Sequence, residues 1–181
     1  IKKSKANPGK LTAGIGGKFG AHDVLANAIN GYKNAGFRII AYDGGASLKK
    51  AAIANEIDIC IIHSPVLLNE VKAGLLNVIG TGGSLAKITY PPIQGTKTLR
   101  EIGIPADVGV TRGVWAPKGT PKDVIKKLEK FIEQAANSDQ FKKFGNNFGF
   151  APKYYTSTQF LDLLNLEQGV YTDIKGKFMS K

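Results

Sequence analysis

The stretch LTAGIGGKFGAHDVLANAINGYKNAGFRIIAY, residues 11–42, decides the fold. Its opening, LTAGIG (11–16), reads as a strand. AHDVLANAINGYKNAG (21–36) reads as a helix, because Val24, Leu25, Ala28, Ile29 and Tyr32 fall on one stripe at helical spacing. Gly36 supplies a stop signal. FRIIAY (37–42) then reads as a second strand. Strand, helix and strand in this order predict parallel strands joined by a right-handed crossover.

The pattern continues downstream. SLKKAAIANE (47–56) reads as a helix, and IDICIIH (57–63) as a strand covered on both faces. PVLLNEVKAG (65–74) has proline in its first turn and glycine just past its end, so it reads as a short helix. LLNVIGT (75–81) reads as a fourth strand. The connections after GIG, AYD, IIH and IGT then open at one edge of the sheet. Ligands of open α/β sheets bind outside that carboxyl edge. Four loops are expected there: 16–21, 43–47, 63–65 and 81–84.

The second half changes texture. Pro91 and Pro92 forbid regular helix around them. DVGVTRGVWAP (107–117) reads as extended chain, a further strand. A helix follows with Thr120 as N-cap, Pro121 in its first turn and Asp123 at its positive end. Val124, Ile125, Leu128, Phe131, Ile132 and Ala135 make its expected buried stripe. SDQFKKFGNNFG (138–149) reads as a short helix and FAPKYY (150–155) as a short strand or extended piece. TSTQFLDLLNLEQGVYTDI (156–174) reads as a last helix, with Thr156 and Gln159 spaced as a capping box.

With 181 residues there is room for one domain or two small lobes. Hydrophobic residues make up 43% and charged residues 22%, the balance of a globular protein without a membrane span. No signal-peptide pattern is visible, so any export signal has been removed or was never there. The net charge of +11 splits into +7 over residues 1–112 and +4 over 113–181. Arginine occurs only at Arg38, Arg100 and Arg112. Nucleic-acid binders cluster basic side chains and interleave aromatics. The spread lysines here read instead as a solvated surface that helps collect small anions, with no nucleic-acid partner. Cys60 lies inside an apolar run and reads as a structural thiol. His22 and His63 lack ligand-spaced partners, so neither a metal nor another cofactor is expected. Asp43 with His63 is a conceivable acid–base pair, yet no nucleophile accompanies it, and a binder rather than an enzyme is expected.

GIGGKFGAH sits where anions are held. It does not fit the dinucleotide fingerprint, which needs glycine where Phe19 stands. It also fails the P-loop pattern, with Phe19 at the magnesium hydroxyl position and Thr12 at the first glycine. The physics survives: glycines turn backbone N–H groups inward, and a helix starts near Ala21. The helix dipole gives about 0.3–1 kcal/mol when exposed and up to ~2 when partly buried. A micromolar ligand needs about 8 kcal/mol, so further loops or a second lobe must help. Two other readings stay open: a turn that only packs helix on sheet, and a nucleotide- or phosphate-binding α/β enzyme using residues 14–21.

KANPGKLTAGIGGKFGAH, AYDGGASLKKAAIANEIDI, VKAGLLNVIGTGG, TLREIGI and WAPKGTPKDVIKKLEKFIEQA, in this order, resemble the solute-binding receptors of tripartite tricarboxylate transporters, the Bug receptors. The resemblance spans nearly the whole chain. It implies a two-lobed periplasmic-binding-protein-like (type II) α/β fold that closes on a small organic carboxylate. It also implies an extracytoplasmic location, membrane transporter subunits as partners, no membrane insertion and no chemistry. In that mapping KANPGKL crosses into the second lobe and GVWAPKGTP returns to the first. Residues 9–112 are the second lobe. Residues 113–181 are the crossover and the mostly helical closing part of a first lobe whose N-terminal part is absent. Either the chain is a fragment or its sequence is incomplete. In a fragment, Val114, Trp115 and the stripe 124–132 would be exposed or would pack on another chain.

The resemblance also assigns a site. Gly14, Gly16, Gly17 and Gly20 supply the glycine loop, with Lys18 and Phe19 where the family usually shows glycine and serine. Two roles are open to Lys18, an anion contact or a solvated surface charge. His22 matches a histidine at the helix start, as a ligand contact or as a capping and packing residue. Tyr42, Gly44 and Gly45 match a Y-x-G-G loop, where glycine allows close backbone approach. His63 and Ser64 occupy the third loop and Thr81 the fourth, the two hydroxyls as donors to a ligand oxygen. Arg112 and Trp115 flank the crossover as hinge residues.

Overall fold

The computed structural model describes residues 1–82, 95–106, 109–150 and 152–179. Three strands, β1 (Thr12–Ile15), β2 (Arg38–Ala41) and β3 (Ile59–Ile61), form a parallel sheet in the order β2-β1-β3. A short helix α1 (Lys2–Ala6) precedes them. Helix α2 (Ala21–Lys33) connects β1 to β2, and α3 (Gly44–Ile53) connects β2 to β3. Both are crossovers of the kind that strand–helix alternation predicts.

The central strand explains the layering. Ala13 and Ile15 are fully buried and pack with Ala26 of α2 and Ile61. Gly14 points the other way, as alternation requires. A Cβ there would lie 2.5 Å from both Leu48 of α3 and Ile57. Helices α2 and α3 therefore cover opposite faces, and β1 is buried throughout because neither face meets water.

Two polar clasps set the strand positions. Asp58 Oδ2 accepts from Thr12 N (2.8 Å) and Thr12 Oγ1 (2.9 Å), and Asp58 N donates back to Thr12 Oγ1 at 3.0 Å. These bonds hold the carboxyl of Asp58 below its usual range and tie the start of β3 to β1. Asn30 of α2 donates to Phe37 O and accepts from Phe37 N, both at 2.9 Å. The helix end is thus fixed to the first residue before β2. Asn34 caps α2 with φ 46°, and Gly36 follows at φ 70°. The stop expected of glycine alone is shared with an asparagine that tolerates the left-handed region.

Several sequence expectations are corrected. Helix α3 starts at Gly44 with Asp43 as N-cap, three residues before the expected start, so Gly44 and Gly45 form its first turn. The short helix splits into a 3-10 turn (Ser64–Val66) and α4 (Leu68–Lys72). The fourth strand does not form. Leu75 N and Leu76 N bond back to Glu70 O, which extends the end of α4 and keeps the chain off the sheet edge. Leu75 and Ile79 are exposed, and among the described residues the pairing in this region is a single parallel bridge between Thr81 and Thr98. Residues 109–117 hold no strand, and the rest of the expected 107–117 segment lies outside the described residues. The Pro91–Pro92 segment also lies outside them.

Helices α5 (Lys122–Asn137), α6 (Asp139–Phe148) and α7 (Ser157–Ile174) make the second half. The N-cap of α5 is Pro121, not Thr120, whose hydroxyl donates to Pro117 O in the preceding turn. The capping box of α7 forms as its sequence predicts, with both reciprocal bonds between Thr156 and Gln159. The stripe of α5 is not buried: Val124 and Leu128 are exposed, and Phe131 is 65% exposed. Trp115, 69% exposed, meets Phe160 edge-on at 5.9 Å. The far end of α7 packs back on α2. Ile174 is fully buried with Val24, Ala28, Leu99, Ile104 and Ala106. A π-helical turn (Lys175–Met179) then lays Phe178 on Tyr32, centroids 4.8 Å apart, and over Gly31, where a Cβ would meet the ring at 2.2 Å.

Candidate functional site

Because β1, β2 and β3 are parallel, the loops that follow them share one edge. There the backbone approaches closely. A Cβ on Gly16 would lie 2.6 Å from Ile62 Cδ1, 3.6 Å from His22 Nδ1 and 4.0 Å from the carbonyl carbon of Gly44. One on Gly45 would lie 3.1 Å from both methyls of Val66. Glycine at both positions leaves room for the three loops to meet without displacing Ile62 or Val66.

Two helices begin at this edge. Gly20 caps α2 and Asp43 caps α3, and neither helix has a side-chain cap bond. Gly44 N donates to Tyr42 O at 2.9 Å, and the other first-turn N–H groups at this edge, which no side chain caps, favour a negative group. The glycine loop is braced from within. Phe19 has φ 63°, unusual for a residue with a side chain, and its N–H donates to Asp23 Oδ2 at 2.8 Å. Asp23 Oδ1 accepts from Asn27 Nδ2 at 2.9 Å, and Asp23 is buried. This carboxylate holds the turn, but it also uses one N–H that the loop would otherwise offer to a ligand. Sequence reasoning missed Asp23, although it stands three residues after the N-cap, where an acid returns to the backbone in a capping box.

The two imidazoles meet above this loop. His22 Nε2 and His63 Nδ1 are 3.4 Å apart, with ring centroids at 5.4 Å and planes 19° apart. Burial holds His22 below its ordinary value, and the facing His63 adds to this. Burial also lowers His63, and the charge of Arg112 adds to it. Arg112, expected as a hinge residue, thus stands near enough to act on the site, and among the described residues it makes no ion pair. Its signal in the sequence was its isolation, a single cation between the glycines of the crossover.

The remaining expected site residues are placed differently. Lys18 and Phe19 face solvent, Phe19 at 87% exposure. A Cβ on Gly17 or Gly20 would meet open space, and Gly17 has φ 109°. Tyr42 packs its ring against the cluster of Leu48, Ala51, Ala52 and Ile57. Ser64 donates its hydroxyl to Gly149 O at 2.6 Å, which joins the third loop to the end of α6. Thr81 is bound by backbone to Lys97 and Leu99, and its hydroxyl is buried without a partner. Cys60 lies in β3, where burial pushes its thiol up to about 11, as fits a structural residue. A shallow depression of about 350 Å³ along α7 is lined by Pro105, Asn165, Leu166, Gly169, Val170 and Asp173, whose carboxylate is paired with Lys177 at 2.8 Å. No described helix is long and apolar enough to cross a membrane.

Known proteins share this architecture. A TctC solute binding protein from Polaromonas, solved without ligand, superposes with a TM-score of 0.79 at 17% identity, over 98% of this chain and 60% of that one. Rpa4515 of R. palustris, solved with adipate, gives 0.76 at 17% identity, over 97% and 58%. The periplasmic binding protein BugD gives 0.75 at 20% identity, over 97% and 59%. In sequence, a UPF0065 protein from the gbd 5′ region of Cupriavidus necator is 26% identical over 160 residues, 88% of this chain and 48% of that protein. A UPF0065 protein of Bordetella pertussis is 28% identical over 154 residues, 84% and 46%. The chain spans about half the length of the curated relatives it matches. The pattern of the family described as tripartite tricarboxylate transporter family receptor matches residues 1–170. By that match the chain belongs to the tripartite tricarboxylate transporter receptor family.

Proposed function

We propose that this chain carries the ligand-binding lobe of an extracytoplasmic receptor that captures a small organic carboxylate and delivers it to membrane transporter subunits. The observation that carries the reading is the meeting of two helix N-termini, α2 and α3, without side-chain caps, at one glycine-lined edge. The cations Lys18 and Arg112 stand near this edge, and the acid there is Asp43 at the head of α3. A carboxylate seated between Gly16 and Gly44 accepts from first-turn N–H groups of both helices. Gly17, Gly20 and Gly44 keep the approach open, Gly45 lets the loop close on Val66, and His22 and His63 border the site. Lys18 and Phe19 stand at the mouth. Tyr42, Ser64 and Thr81 act from behind, through packing and loop position.

Two dipoles contribute roughly 1–4 kcal/mol at most, half or less of the ~8 kcal/mol of a micromolar ligand. This edge is therefore a half-site. Residues 9–112 form one lobe, and residues 113–181 form the crossover and closing part of a first lobe. The facing wall belongs to sequence beyond this chain. The unburied stripe Val124, Leu128 and Phe131, with Val114 and Trp115, supports this mapping, because helix faces at such spacing are made to be covered. The adipate seen in Rpa4515 makes a dicarboxylate the first ligand to try. Thermal unfolding of the full-length receptor with mono-, di- and tricarboxylates, amino acids and nucleotides tests the reading. A ligand at about a hundred times its Kd adds ~2.7 kcal/mol. Stabilisation by carboxylates supports the proposal, and stabilisation by nucleotides alone overturns it.

A further inference from the structure

We infer that His22 and His63 act as one proton-accepting unit of the anion site, taking up a single proton when a dicarboxylate is captured. The inference rests on the carboxylate reading above and adds the chemical state of the site to it.

The contact between His22 Nε2 and His63 Nδ1 at 3.4 Å fixes what the pair can hold. In its neutral form one nitrogen carries the hydrogen and the other accepts it. One further proton, on an outer nitrogen, leaves that shared bond intact. A second puts hydrogens on both facing nitrogens and destroys it. The pair therefore accepts one proton readily and resists two, and its titration belongs to both rings together.

The surroundings leave this proton without a protein counter-ion. On α2, Asp23 is turned away onto Phe19 N and Asn27. On α4, Glu70 is paired with Lys49 at 3.1 Å. Asp43, at the head of α3, makes no ion pair or side-chain bond to either ring among the described residues. The other charge acting on the pair, Arg112 of the crossover, is a cation that opposes protonation, and Lys18 of the loop faces solvent. Half-buried rings among uncapped helix N-termini are thus held neutral in the empty site, and the negative charge that would favour protonation has to arrive with the ligand. The rings overlie Gly16, whose Cβ position is 3.6 Å from His22 Nδ1, so a carboxylate on the glycine loop lies beside them. A dianion compensates the added proton better than a monoanion, so the pair favours dicarboxylates as pH falls.

The test is an NMR pH titration of the full-length receptor with millimolar adipate, with acetate at matched ionic strength and with no ligand, the His22 and His63 imidazole resonances being assigned by their loss in His22→Gln and His63→Gln. Amide shifts of residues 16–22 are followed in the same samples. The expected result is a coupled titration of both rings in the free receptor. Adipate should raise the first step by about one pH unit, a tenfold gain in proton affinity, and acetate clearly less. In His63→Gln, His22 should titrate as a single site with a smaller ligand shift. Amides that move with adipate while both imidazoles titrate unchanged would overturn the proton uptake and leave the carboxylate site standing. Amides and imidazoles that both ignore adipate overturn the two together.

Discussion

Replacing Gly14 with alanine tests the layered packing on which the site is built. A Cβ at this position would stand 2.5 Å from Leu48 Cδ1 and from Ile57 Cδ1, and 3.3 Å from Tyr42 Cε2. Carbon atoms prefer about 3.5–4.0 Å, so two buried methyl groups must each retreat by roughly 1 Å. Leu48 is fully buried and Ile57 only 6% exposed, so neither has free space to enter. Overpacking of this kind costs about 1–3 kcal/mol. Alanine returns about 0.4–1 kcal/mol by restricting the unfolded chain. The expected net loss is therefore about 0.5–2 kcal/mol, a Tm drop of a few degrees for a chain of this size. Urea unfolding followed by circular dichroism should show a lower midpoint with an unchanged slope. Leu48→Ala alone should cost about 2–5 kcal/mol through its cavity. The double variant should lose less than the sum, because the new methyl occupies part of the vacated space. A neutral or stabilising Gly14→Ala, or strict additivity with Leu48→Ala, would refute the packing of α3 on β1.

Stability should depend on pH through the histidines. Both are held below the ordinary 6.5, so between the folded value and 6.5 the unfolded chain binds more protons. Their contribution is complete above 6.5 and is lost as pH falls through the folded values, and urea midpoints across that window should flatten in a His22→Gln, His63→Gln double variant. Thr156→Ala removes the capping box of α7 and should cost about 1 kcal/mol, within 0.5–2, in thermal unfolding. Trp115, the single tryptophan, should emit at long wavelength and be readily quenched by iodide in this chain. Joining the first-lobe sequence should shift the emission to the blue and protect it, and unchanged quenching would contradict the lobe mapping.

Elements with strong local signals were legible in the sequence. The apolar stripe of α2 and the glycines around it place β1, α2 and β2 within a residue or two at most ends. The Thr156–Gln159 spacing predicts a cap that forms. The failures come from partners that local patterns do not contain. LLNVIGT has the composition of a strand, yet residues 75 and 76 continue the turn of α4 because the Glu70 carbonyl captures their N–H groups. The stripe of α5 has the right period for burial, but periodicity names a face and not the surface that covers it. At the site, close approach leaves little room for a side chain at Gly16 and Gly45, whereas Gly17, Gly20 and Gly44 face open space. The pairing of His22 with His63 was not legible, because it joins positions 41 residues apart through the sheet edge. Ser64 was expected as a ligand donor, but its proton goes to Gly149 O, a carbonyl exposed by the left-handed end of α6. The charge of Arg112 on His63 was not legible either, because it depends on the crossover returning past the third loop.

The most direct test of the account is a crystal structure of the full-length receptor grown with adipate. The account predicts a carboxylate oxygen about 3 Å from first-turn N–H groups of α2 or α3, between Gly16 and Gly44, with His22 and His63 beside it. Adipate held elsewhere, such as along α7 near Asp173, or held by side chains with both helix N-termini left to water, would contradict it.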